Sequence, residues 1–218
     1  MQRFYQGQLD FFCAAYAVIN AMTAMYGINL SQARALLASA LADVSRHPVL
    51  WQATLYNETD FHWLADYMLF ACNKSIAYPI RVSRPFAELH AIPETAANLA
   101  EAKPFIAPSS TSNNPDEIWS ALENWLPDTP GQPKAGSARR VVLLRFHRYI
   151  RYANKPIVSH WSMMDCHHVG FFTLRDASKE ENALYSIDRD MTVFDERQIS
   201  EKFPVRIEPE SLYFIERR

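Results

Sequence analysis

The last third of the chain restricts the fold more than any other part. "VVLLRF" at 141 to 146, "PIVSHWSMM" at 156 to 164, "VGFFTLR" at 169 to 175, "ALYSI" at 183 to 187, "MTVF" at 191 to 194 and "SLYFIE" at 211 to 216 are short apolar or aromatic runs. Polar turns such as "ASKEEN" separate them. This is the pattern of strands in a mostly antiparallel sheet. The first third reads differently. From Cys13 to about Met25, apolar residues at 15, 18, 19, 22 and 25 form a helical stripe. Gly27 and Asn29 break it. Ser31 is placed to cap a second helix, "SQARALLASALADVS", and Thr59 or Asp60 a third, "DFHWLADYMLFACNK". Helices first and strands afterwards predict an α+β fold rather than alternating βαβ units.

Between these regions the pattern weakens. Residues 75 to 115 hold Pro79, Pro85, Pro93, Pro104, Pro108 and Pro115, then "DEIWSALENWL" reads as a short helix. "PDTPGQPKAGSARR" follows as a surface loop. A length of 218 residues suits one domain, with a helical lobe over about 1–135 and a sheet lobe over about 136–218.

Composition narrows the function classes. A formal charge of −2 supplies no global field for nucleic acid. The basic, aromatic run "RRVVLLRFHRYIRYANK" reads as a strand and hairpin with solvated charges. No apolar run is long enough to cross a bilayer. The opening "MQRFYQGQLD" lacks a charged region followed by an apolar one, so the expected location is cytoplasmic, or outside by a route without a cleaved signal. Three cysteines, Cys13, Cys72 and Cys166, are too few and too odd in number for a disulfide framework. There is no CxxC pair, and adjacent His167 and His168 are a poor chelate on a strand, so no metal is expected.

Cys13 draws the chemical argument. It begins a helix, where partial positive charge favours a thiolate, and a neighbouring imidazolium would favour it further. The fold must bring the histidine from elsewhere. The sheet region offers His160, His167 and His168. Asp176 and Asp188 stand at the ends of strand runs, where either could orient an imidazole. Gln6 and Gln8 lie shortly before the cysteine, and Asp10 is placed to cap its helix. Cys72 reads as a buried helical thiol. His47, His62, His90 and His147 read as structural or surface residues.

These features resemble the papain-like cysteine peptidases. "QGQLDFFCAAYAVINA" is similar to the bacterial C39-like peptidase pattern, in which a Gln-Gly pair, an acidic residue and a Cys precede Tyr-Ala and Asn-Ala. "SHWSMM" is similar to the His-Trp-Thr-Val-Val strand of such proteins, and "FFTLRDAS" to the strand that ends in their Asp-Ser. The resemblance covers the two ends of the chain and leaves roughly 75 to 135 unmatched. It implies a papain-like fold with Cys13 as nucleophile, Gln6 as oxyanion donor, His160 as base and Asp176 as its orienter. The family has Gly after the cysteine, and this chain has Ala14.

Alternatives remain open at this level. Gln8 competes with Gln6, and His168 or His167 with Asp188 competes with His160 and Asp176. Strand alternation prevents His167 and His168 from entering one site together. The implied reaction is hydrolysis of a peptide or amide bond in a peptide or protein substrate, without a cofactor. Glutamine deamidation, acyl transfer and isopeptide cleavage use the same triad, and a non-catalytic papain-like binding module is the reading of a different class.

Overall fold

The computed structural model describes residues 12–55, 62–74, 77–87, 114–131, 133–149, 157–177 and 184–218. Gln6, Gln8 and Asp10 lie outside them. The architecture is α+β. Its elements run α1 (Cys13–Tyr26), α2 (Leu30–Val44), α3 (Pro48–Leu55), α4 (His62–Lys74), β1 (Ile80–Ser83), α5 (Pro115–Trp125), β2 (Arg140–Tyr149), β3 (Ile157–His168), β4 (Phe171–Leu174), β5 (Ser186–Asp188), β6 (Thr192–Val193), β7 (Val205–Ile207) and β8 (Tyr213–Arg217).

The sheet has eight strands in the order β1-β8-β2-β3-β4-β5, with β7 pairing with both β2 and β6. All pairings are antiparallel except β6 with β7. Two apolar cores flank it. On one face Val141, Leu143, Trp161, Met163, Tyr213 and Ile215 pack with α1, α2 and α4. On the other, Val142, Leu144, Phe146, Met164, Phe172 and Leu174 pack with α5 through Ile118, Trp119 and Leu122. The alternation of β2, odd residues to one core and even residues to the other, explains why "VVLLRF" is apolar almost throughout.

α1 is the central helix. Its sequence stripe understates its burial, because only Tyr16 and Tyr26 of its residues are more than marginally exposed. Small Ala residues let the sheet and α4 approach from different sides. Its C-terminal end is anchored closely. Gly27 takes the left-handed conformation, φ 65°, and closes the helix. Gly136 sits so near that a Cβ there would come 3.3 Å from Gly27 N. Gly136 N–H donates to Thr23 O at 3.1 Å, Ala138 N–H to Ala24 O at 3.1 Å, and Arg217 Nη1 to Met25 O at 2.8 Å. The last carbonyls of α1 are thereby satisfied by the start of the sheet, and a cation sits at the negative end of the helix dipole. This places the opposite end, Cys13, towards the far end of β2 and the beginning of β3.

Several sequence expectations need correction. Asn29, not Ser31, caps α2: its side chain accepts from Gln32 N–H at 3.0 Å while Gln32 Oε1 accepts from Asn29 N–H at 2.8 Å. This capping box carries Gln at its third position. β3 runs beyond the apolar stretch at 156 to 164, continuing to His168 and reversing only at Val169 and Gly170. The helix α3 and the strands β1 and β7 have no counterpart in the sequence reading. Ile80–Ser83 lies in the proline-rich stretch, yet it pairs with β8 along its whole length.

Candidate active site

Cys13 stands in the first turn of α1 and is 9% exposed. The N-cap residue is Phe12, which makes no side-chain capping bond. The first intrahelical bond of this turn is Tyr16 N–H to Phe12 O at 3.0 Å. The preceding N–H groups, including that of Cys13, therefore have no acceptor within the helix.

His160 comes from β3. It lies opposite Phe146 on β2, and the two rings meet edge to face with centroids 5.8 Å apart. β4 pairs with β3 only from Met164 onward, so it does not flank the stretch that carries His160. There the first turn of α1 reaches the strand, and the Cys13 thiol lies close enough to the imidazole to act on its charge. The ring's Nε2 lies 2.7 Å from Asp176 Oδ1. With Nε2 taken by Asp176, Nδ1 is the nitrogen left for the thiol.

Asp176 is 1% exposed. Its second oxygen, Oδ2, accepts from Leu184 N–H at 2.8 Å. Both carboxylate oxygens are thus engaged, which holds the carboxylate plane. Burial presses the imidazole towards its neutral form. The hydrogen bonds and charges of Asp176 and Cys13 more than offset this, and the His160 pKa is raised to about 10.

Residues that the sequence reading did not single out hold Asp176 in place. Asn20 Nδ2 donates to Arg175 O at 3.3 Å. Asn20 is seven residues after Cys13, two helical turns along, and so on the same face of α1. The sequence signal was available: an Asn within an apolar helix has to find a polar partner. Arg175 is fully buried. Its Nε pairs with Asp165, and its Nη2 donates to Pro133 O at 2.7 Å. Asp165 sits at a bulge, where the β3–β4 register shifts between Met164 and Cys166. Burial pushes its pKa up, and Arg175 opposes that shift. The bulge also reverses the alternation, so Met164 and His167, three residues apart, both face the α5 core side: Met164 packs there and His167 stacks on Phe172.

The rival histidines go elsewhere. His167 Nε2 lies 3.2 Å from Glu123 O. His168 Nδ1 lies 2.9 Å from Asp128 Oδ1, with side chains 51% and 66% exposed. Asp188 caps the 3-10 turn Arg189–Met191 by accepting from Asp190 N–H at 2.9 Å, so it orients neither histidine. His62, read as structural or surface, is part-buried against Trp161 and Tyr213. Cys72 and Cys166 are buried, and burial raises both thiols, Cys72 to about 12. No group of three metal-ligating side chains occurs among the described residues. No helix among them is long and apolar enough to cross a membrane. Comparison with family models, with curated protein sequences and with solved structures finds no match for this chain.

Proposed function

We propose that the protein is a papain-like cysteine hydrolase that cleaves a peptide or amide bond through Cys13, His160 and Asp176. The observation that carries this reading is the meeting of two groups on one imidazole: the Cys13 thiol, from α1, on one side and Asp176 Oδ1 at 2.7 Å on Nε2.

In this mechanism His160 takes the proton of the Cys13 thiol, and the sulfur attacks a substrate carbonyl. The C=O π bond opens, and its electron pair resides on the oxygen. The Cys13 backbone N–H at the uncapped helix start, with Gln6 as the resemblance implies, supplies donors to that oxyanion. His160 gives its proton to the leaving amine as the C–N bond breaks and a thioester forms. Water, deprotonated by the same imidazole, then attacks the thioester and releases the acid. Asp176 holds the tautomer and faces the imidazolium without leaving its own hydrogen bonds. Glutamine deamidation, isopeptide cleavage and acyl transfer share the first attack and differ in the amine released or the acceptor that follows.

The pH dependence of Cys13 alkylation by iodoacetamide, mapped by peptide mass spectrometry, tests the site. Cys13 is expected to react well below pH 8, and His160→Ala to remove that reactivity while His168→Ala leaves it intact. An ordinary thiol profile in all three proteins would sink the hydrolase reading and favour a non-catalytic binding module.

A further inference from the structure

An open groove of about 690 Å³ runs between the C-terminal end of α5 and the start of β2. Trp125, Leu126, Pro130 and Pro133 give it apolar walls, and Arg139 and Arg140 give it charge. A smaller hollow of about 340 Å³ shares Ser137, Ala138 and Arg139 with it and adds Arg217 and Arg218. The two therefore adjoin along the segment that leads into β2.

The walls are held by the rest of the fold. His167 N–H donates to Pro127 O at 3.1 Å and Thr129 N–H to His167 O at 2.9 Å. Arg175 Nη2 donates to Pro133 O at 2.7 Å, and Trp125 Nε1 to Val141 O at 3.1 Å. A groove shaped in advance spares a ligand part of the ordering cost of binding. Its prolines carry no N–H, and the Pro127 and Pro133 carbonyls already accept. The proline wall thus offers apolar surface, and the polar contacts fall to the arginines.

Those arginines outnumber the carboxylates beside them. Glu216 is the one carboxylate that meets them among the described residues, with Oε1 3.0 Å from Arg140 Nε and 3.9 Å from Arg139 Nε. Arg217 Nη1 donates to two carbonyls, Met25 O at 2.8 Å and Gly136 O at 3.2 Å. Asp128, in the loop that forms the wall, pairs with His168. Arg139, Arg140 and Arg217 against Glu216 leave an excess of two positive charges before Arg218 is counted. The Arg139 and Arg140 side chains are 81% and 40% exposed, and no described residue takes their Nη1 or Nη2 groups. Free guanidinium forks suit carboxylates, which accept through two oxygens.

A nucleic acid fits less well. The Arg140 guanidinium lies 4.7 Å above the Trp125 ring and Phe214 meets that ring edge to face, so Trp125 is a poor platform for stacking a base. The excess charge is local, in a chain of formal charge −2, and offers no long stripe for successive phosphates. Apolar walls with charged forks at the rim match a peptide that carries both acidic and apolar side chains.

We propose that this groove is a docking site for an acidic peptide segment of a partner protein, with its carboxylates on Arg139 and Arg140 and its apolar side chains against the proline wall. The proposal goes beyond the hydrolase reading and does not depend on Cys13.

The test uses the full chain and a short fluorescent peptide of alternating glutamate and proline, with its glutamine analogue and an oligothymidylate as comparison probes. The acidic peptide is expected to raise fluorescence anisotropy on binding, to shift the NMR signal of the Trp125 indole N–H, and to bind at least about tenfold more tightly than the glutamine analogue. Arg139→Glu, at an exposed position, should weaken it about tenfold at low salt. Arg197→Glu, on the exposed turn after β6, should leave it unchanged. No binding, or equal binding of the glutamine analogue, overturns the proposal. So does binding that moves no Trp125 signal, or that the two variants weaken alike, because the peptide then sits elsewhere. Tighter binding of the oligothymidylate overturns the peptide assignment in favour of nucleic acid. An unreactive Cys13 leaves every one of these readouts in force, so failure of the hydrolase reading and failure of the groove are told apart.

Discussion

Two histidine–aspartate pairs on the same strand make an informative contrast. His160 and Asp176 are 2.7 Å apart, His168 and Asp128 2.9 Å. By distance they are nearly equal. By surroundings they are opposites, with side chains 12% and 1% exposed in the first pair and 51% and 66% in the second. The exposed pair is screened by water and salt, and its only resolved consequence is a lowered Asp128 pKa, chiefly from the His168 hydrogen bond. The buried pair fixes a ring and shares it with a thiol. Burial, together with a third group, separates a candidate catalytic dyad from a surface contact of the same length.

The largest effect that would break this contrast is on reactivity. Asp176→Asn keeps the shape but gives up the charge and one of the two acceptor oxygens, so that the His160 ring and Leu184 N–H are no longer both served. It should lower the rate of Cys13 acylation by a chromogenic thioester about a hundredfold or more, within the range associated with acid–base groups. Asp128→Asn should leave that rate unchanged. Equal losses in the two variants would mean that burial does not distinguish the pairs.

Stability supplies the next effect. Asp176→Ala leaves the buried imidazole and Leu184 N–H without their partner, at a cost of about 3 kcal/mol by analogy with broken buried pairs. Urea denaturation would read this directly, and Asp128→Ala should give no measurable shift of midpoint.

The pH dependence of stability is smaller and has a defined sign. The His160 pKa is raised in the folded state from an ordinary 6.5 to about 10. Its contribution is therefore complete below about pH 6.5 and is lost as pH rises through about 10. Melting temperature should fall over that window in the wild type and less steeply in His160→Ala. Asp128 behaves in the opposite sense. Its pKa is lowered, so the little it contributes is present above the unfolded value and fades as pH falls, and added salt should abolish it.

The smallest expected effect concerns Asn20. Asn20→Ala removes the bond to Arg175 O and should cost about 1 kcal/mol in urea denaturation. It should also broaden the pH profile of Cys13 alkylation, because the backbone before Asp176 loses its tie to α1. A stability loss with no change in that profile would reduce Asn20 to a structural residue.

Legibility in the sequence followed the range of the interactions. The helix from Cys13 ends close to where the stripe and Gly27 place its end, since capping and periodicity are local. The six apolar runs all contain strand residues for the same reason. β1 was missed because Pro79 and Pro85 bracket a four-residue segment whose strand character comes from pairing with β8. β7 was missed because only alternate residues of "VRI" are buried. The histidines were harder. Three within nine positions carry the same chemistry in one dimension, and a single bulge at Asp165 reorders their faces.

The amino-acid sequence by itself determined the α+β class, the position of Cys13 at a helix start and a short set of imidazoles and carboxylates, because propensity, caps and apolar periodicity act over a few residues. Which imidazole meets which carboxylate was decided only in the tertiary structure. The tie of Asn20 to the backbone before Asp176, the pairing of Arg175 with Asp165, and the docking of α1 through Gly27 and Gly136 all depend on segments more than a hundred residues apart or on a register shift that no local signal specifies.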